Sequence, residues 1–160
     1  MRLRAAIVPV VILAILATPL PALAANRAAP LDRGTARLLL IQAAHHHGLR
    51  PGFVLAVAYW ESGWNQQAVS RTGAIGLMQV EPSTAAWAGP ALLHRRVNLY
   101  NPRDNAEVGA ALLRYYLDRL HDPALALAAY YQGLRAVMRH GIYRSSRSYV
   151  RGILRLAKQF

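Results

Sequence analysis

AYWESGWNQQAVSRTGAIGLMQV, Ala58 to Val80, joins the end of an apolar run to a short polar, glycine-rich passage, and it holds a single carboxylate, Glu61. Just upstream, PGFVLAVAYWE reads as a mostly buried helix. Pro51 suits a first helical position, because the N–H it lacks would have no partner there. Phe53, Val54, Val57, Ala58 and Trp60 recur at helical spacing on an apolar face. Gly63 is a natural stop. Glu61 is therefore expected in the last helical turn, where the helix dipole opposes negative charge. Trp60 and Trp64 as apolar neighbours would disfavour ionisation further. Both influences raise a carboxyl pKa, which suits a general acid working near neutral pH.

Downstream, Asn65 to Gly76 is polar, with glycines at 73 and 76, and reads as a loop. Glycine there would let backbone approach a bulky ligand. Asn65 and Ser70 carry short polar side chains that order such loops. Gln79 offers an amide that both donates and accepts. Met78 reads equally as core packing and as a contact in a groove. Glu81 precedes Pro82 at the start of a short helix, Pro82 to Trp87, where a cap or first-turn charge accounts for it. The other reading makes Glu81 a second catalytic carboxylate; capping is the preferred one.

Outward toward the N-terminus, Arg2 and Arg4 precede an apolar run from Ala5 to Ala17, Pro19 and Pro21 interrupt it, and Ala22-Leu23-Ala24 follows. This is the pattern of a secretory signal peptide. Residues 1–25 are assigned to it and residues 26–160 to one catalytic domain. An uncleaved membrane anchor is the alternative. The chain has no cysteine, so an exported domain would depend on core packing alone. With Arg2 and Arg4 set aside, 17 basic residues stand against 7 acidic ones, a net +10, and Lys158 is the only lysine. Such charge suits nucleic acid, but an export signal argues against it. Anionic polymers outside the cell are the expected partners of a cationic surface; a genome rich in G and C accounts for the arginine content equally well.

Leu31 to His47 is expected to be a well-buried helix capped by Asp32 or Thr35, with Leu38, Leu39, Ile41, Gln42 and Ala43 covering more than one face. His45, His46 and His47 close it. Three histidines invite a metal, yet consecutive helical side chains diverge, so stabilisation by the helix C-terminus is the reading and no metal site is assigned. Gly89 to Val97 is taken as a loop. A long helix from Pro102 to about Leu120 buries Val108, Leu112, Leu113, Tyr116 and Leu117, with close packing expected at Gly109. Asp122-Pro123 opens the next helix, and Leu134 to His140 forms a short one ending at Gly141. The last, Arg147 to Phe160, is basic and amphipathic. Packing of Val150, Ile153, Leu154 and Ala157 on the domain is preferred to a place on a membrane. The elements are helical throughout.

Taken in order, ESGWN (61–65), AVS (68–70), GLMQV (76–80) and EPSTA (81–85) resemble the soluble lytic transglycosylases, relatives of goose-type lysozyme that cleave peptidoglycan. Two later segments extend the resemblance. NPRDN with Gly109 is similar to the family's NPxxN segment, and AYYQG (129–133) to its AYNAG. Ala106, Tyr131 and Gln132 depart from the family pattern. The resemblance implies an all-α, lysozyme-like domain around a glycan-binding cleft. It implies Glu61 as the catalytic acid, and Ser70, Met78, Gln79, Tyr130 and Tyr149 as substrate contacts. Tyr130 reads alternatively as a core aromatic. No cofactor is implied. The partners implied are peptidoglycan glycan strands, with a monomeric enzyme acting in the periplasm, wall or medium. The chemistry implied is cleavage between N-acetylmuramic acid and N-acetylglucosamine by attack of the sugar's own 6-hydroxyl. The rivals are a lysozyme-like hydrolase and a non-catalytic peptidoglycan-binding protein.

Overall fold

A computed structural model describes residues 30–160, and the segment assigned to a signal peptide lies outside them. Among the described residues seven α-helices follow one another: α1 Arg33–His46, α2 Pro51–Ser62, α3 Pro82–Leu93, α4 Pro102–Leu120, α5 Pro123–Gln132, α6 Leu134–His140 and α7 Arg147–Leu156, with a 3₁₀ turn at Arg144–Ser146. Extended pairing among the described residues is limited to isolated bridges, Val69 with Ile75 and Ile75 with Val80. Proline opens α2, α3, α4 and α5 within the first two positions, where its fixed φ is already helical. Asp32, Asn101 and Asp122 cap α1, α4 and α5 by accepting first-turn N–H bonds.

α4 is the hub, packed against α1, α3 and α5, while α2 lies against α1 and α7. Residues 53–58 of α2 are all buried, as expected of a helix apolar on every side. α1 is buried on one face only: Ala36, Leu40, Ala43 and Ala44 are inside, whereas Leu38 is 58% exposed. The expected all-round burial fails because one stripe is enough to cover α2 and α4. α3 runs six residues beyond the expected Trp87, with Pro90 inside it. The chain then doubles back so tightly that a Cβ on Gly89 would stand 2.8 Å from the carbonyl oxygen of Arg95. Glu81 occupies the cap position of α3 but makes no side-chain capping bond, so its expected role is corrected; the side chain is exposed.

α7 buries Tyr149, Val150 and Ile153 against the domain. Beyond it the tail turns back, and Phe160 packs on Trp64 at 5.3 Å between ring centres. No helix among the described residues is long and apolar enough to cross a membrane.

Candidate active site

Glu61 sits in the last turn of α2, before Gly63 in the left-handed conformation at φ 63°. Its neighbour Ser62 fixes this end, donating to the carbonyl of Leu77 at 2.8 Å and accepting from the N–H of Asn65 at 3.1 Å. The loop 65–80 is thereby tied to the helix that carries the acid. Gly76, at φ 79°, lies against the amide of Asn105, where a Cβ would approach Nδ2 to 2.4 Å. Only glycine meets both demands.

Asn105 is fully buried in α4 and holds three backbone groups. Its Oδ1 accepts from Met78 N–H at 2.9 Å, and its Nδ2 donates to Ile75 O at 2.8 Å and Leu99 O at 3.0 Å. The close packing at Gly109 comes from the same loop, since a Cβ there would meet the Met78 side chain at 2.6 Å. Met78 is fully buried, so its side chain belongs to the core and cannot line a groove. Its backbone serves the site instead, because its carbonyl accepts from the Tyr130 hydroxyl at 2.8 Å.

Tyr149, on α7, donates its hydroxyl to Glu61 Oε1 at 2.5 Å. This contact joins residues 88 apart in sequence, and no local pattern announces it. Burial pushes the Glu61 carboxyl above the usual carboxylate range, and the Tyr149 bond works in the opposite direction, with burial the larger influence. Burial, together with the charge of Glu61, likewise holds the Tyr130 and Tyr149 hydroxyls well above the usual phenol value. Both stay proton donors at neutral pH. Trp64 is buried near the end of α2. Its indole N–H donates to Leu55 O at 3.0 Å, and its ring packs on Tyr59 and Phe160.

A cleft of about 290 Å³ opens between the 79–84 segment and the ends of α4 and α5. Gln79, Glu81, Thr84, Tyr116, Tyr130 and Gln132 are in its wall. Gln79 has a left-handed backbone, φ 47°, and its amide donates to Ala68 O at 3.1 Å and Gly76 O at 3.0 Å. Its amide oxygen has no hydrogen-bond partner among the described residues. Ser70 orders the loop, pairing with the Thr72 hydroxyl at 2.9 Å and accepting from Ala74 N–H at 3.0 Å. The two departures near α5 have structural partners. Tyr131 stacks on Tyr149 at 4.6 Å, and Gln132 bridges Gly141 O and Tyr143 N–H.

The chain belongs to the transglycosylase SLT domain family, whose pattern it matches over residues 39–150. Among its relatives is a transglycosylase of Enterobacteria phage PRD1, 42% identical over 91 residues, which cover 57% of this chain and 32% of the phage protein. Membrane-bound lytic murein transglycosylase C of Haemophilus influenzae is 33% identical over 114 residues, covering 63% of this chain and 32% of that protein. The chain thus spans about a third of the length of these curated relatives. Among solved structures, an inactive mutant of the lytic transglycosylase Slt from Pseudomonas aeruginosa superposes with a TM-score of 0.69 at 26% identity, over 76% of this chain and 23% of that one. The soluble lytic transglycosylase of Escherichia coli shares the fold, with a TM-score of 0.68 at 24% identity over 74% of this chain and 23% of its own.

Proposed function

We propose that this domain is a peptidoglycan lytic transglycosylase, exported to the wall, that cleaves the β-1,4 bond between N-acetylmuramic acid and N-acetylglucosamine. The observation that carries the proposal is Glu61, half-buried at the end of α2, with a raised pKa and a single hydrogen-bond donor on Oε1. With Tyr149 on Oε1, the proton of the neutral acid belongs on Oε2. From there it passes to the bridging oxygen as the bond from C1 of the muramic acid breaks, and positive charge builds on the sugar. The same sugar's 6-hydroxyl then bonds to C1, and Glu61, now ionised, takes its proton. The product is a 1,6-anhydro end, no water is consumed, and the acid returns to its starting state. Attack from within one sugar gains from high effective concentration. Ser70, Gln79 and Tyr130 are assigned to orienting the glycan; for Gln79 the free amide oxygen suits an N-acetyl N–H.

Glu81 in the cleft wall favours one second reading, hydrolysis with a partner carboxylate. The side-chain hydrogen bond on Glu61 comes from the Tyr149 hydroxyl and not from a second carboxyl group, which supports the single-acid route. Mass spectrometry of digested peptidoglycan decides: anhydro ends, lighter by one water, are expected, and reducing ends alone would overturn the proposal.

Tyr149→Phe keeps the buried ring and removes the donor. The ionised form of Glu61 then loses its stabilising bond, so its pKa rises further. The alkaline limb of kcat/KM is expected to move to higher pH, because the acid stays protonated longer. The kcat is expected to fall about tenfold with KM little changed. A pH profile identical to that of the parent would show that the hydroxyl does not act on the acid.

A further inference from the structure

The run of three histidines has no part in the proposed chemistry. His46 Nδ1 and His47 Nε2 lie 2.8 and 2.9 Å from one and the same oxygen, Oε2 of Glu107. Consecutive side chains diverge within a helix, and on that ground the sequence argued against convergence. The two rings nevertheless meet, because α1 ends at His46. His47, at φ −97° and ψ 14°, is already outside it, and the two rings come to 4.9 Å. Glu107 reaches them from α4, between Asn105 and Gly109. The three ligating atoms lie within 4.8 Å of one another.

Two imidazole nitrogens from the end of α1 and one carboxylate oxygen from α4 are thus gathered in one place, with His46 on the solvent side. We propose that His46, His47 and Glu107 form a binding site for a borderline divalent transition cation of the zinc type. Imidazole nitrogen and carboxylate oxygen are ligands that Zn²⁺ takes at about 2.0–2.2 Å in tetrahedral geometry. Ligand atoms around such an ion stand a little over 3 Å apart, so each N···O pair, now 2.8 and 2.9 Å, would open slightly and the trio, now within 4.8 Å, would rearrange around the ion. The side chains of His47 and Glu107 are 13% and 15% exposed, whereas His46 is 69% exposed. The open side leaves the fourth position to water. Each ring would coordinate through its unprotonated nitrogen. The ion would fasten the end of α1 to the stretch of α4 that holds the 75–79 loop. Its role is to brace the scaffold, and no step of glycan cleavage passes through it.

The test uses the full chain, without a histidine purification tag, stripped with chelator and titrated with Zn²⁺ by calorimetry and with Co²⁺ by visible absorption. One ion per chain is expected. Saturation at about 100 times Kd should raise Tm by roughly 5 °C. Mg²⁺ and Ca²⁺, which prefer all-oxygen sites, should give no rise. Glu107→Gln keeps the shape and an acceptor for the rings, and should weaken Zn²⁺ binding at least about tenfold. His46→Gln, at an exposed position, should do the same, and His45→Gln should leave affinity unchanged. No saturable binding up to about 100 µM Zn²⁺ would overturn the proposal. So would unchanged affinity in Glu107→Gln, or loss in His45→Gln, which would place the ion on the histidine run alone.

Discussion

Glu61→Gln is expected to reduce lysis of purified peptidoglycan about 10³-fold or more, followed as loss of turbidity, with the fold intact by circular dichroism. The amide fills the same space and still accepts from the Tyr149 hydroxyl, but it has no proton to give and none to take back. Stability should move in the opposite direction. The folded-state pKa of Glu61 is raised, so the folded chain resists the ionisation that the unfolded chain accepts. Below the unfolded carboxyl range both states are protonated and the full stability is present. As pH rises through that range to the folded pKa, stability is lost. The variant has nothing to ionise. It should therefore melt a few degrees above the parent at neutral pH, and the difference should vanish near pH 4, at the foot of the carboxyl range. Retained lysis would end the assignment of Glu61 as the acid. A variant that melts below the parent at neutral pH would contradict its raised pKa.

Asn105→Ala should be the most damaging substitution for stability. Met78 N–H has this amide as its acceptor, while Ile75 O and Leu99 O accept from it and also from Val80 N–H and Gln66 Nε2. The site of Asn105 is fully buried, so water cannot replace it without opening the core. Losing three hydrogen bonds, with Met78 N–H left buried and unpartnered, costs about 3–5 kcal/mol, a fall in Tm of roughly 10 °C for a domain of this size. Asn105→Asp should not rescue it, since a carboxylate faces the two carbonyls with an acceptor in place of a donor. Thermal unfolding of both variants decides this; a shift of only a degree or two would mean that the loop does not rest on Asn105. Activity should fall with stability, because the same contacts set the height of Gln79 beside the cleft.

The helices were legible because their signals are local. Proline and a cap residue mark the starts of α4 and α5, and Gly63 in the left-handed conformation marks the end of α2. Where local signals conflict, the reading went astray. Gly89 to Val97 was expected as a loop, yet the helix runs on to Leu93 with Pro90 inside it, because one missing N–H is a tolerable loss inside a packed turn. Glu81 had the position of a cap without making the bond. Met78 illustrates a different limit. Its spacing fits both core and groove, and only the notch at Gly109, 31 residues away in sequence, decides for the core.

By itself, the sequence determined the family, the helical class and the place of Glu61 in the last turn of an apolar helix, since each follows from neighbours within a few residues. Tertiary structure alone decided that Tyr149 touches the acid, that Asn105 suspends the loop, and that His46 and His47 meet on Glu107. These pairs are 27 to 88 residues apart, and a contact at such separation depends on how helices cross, which no local periodicity encodes.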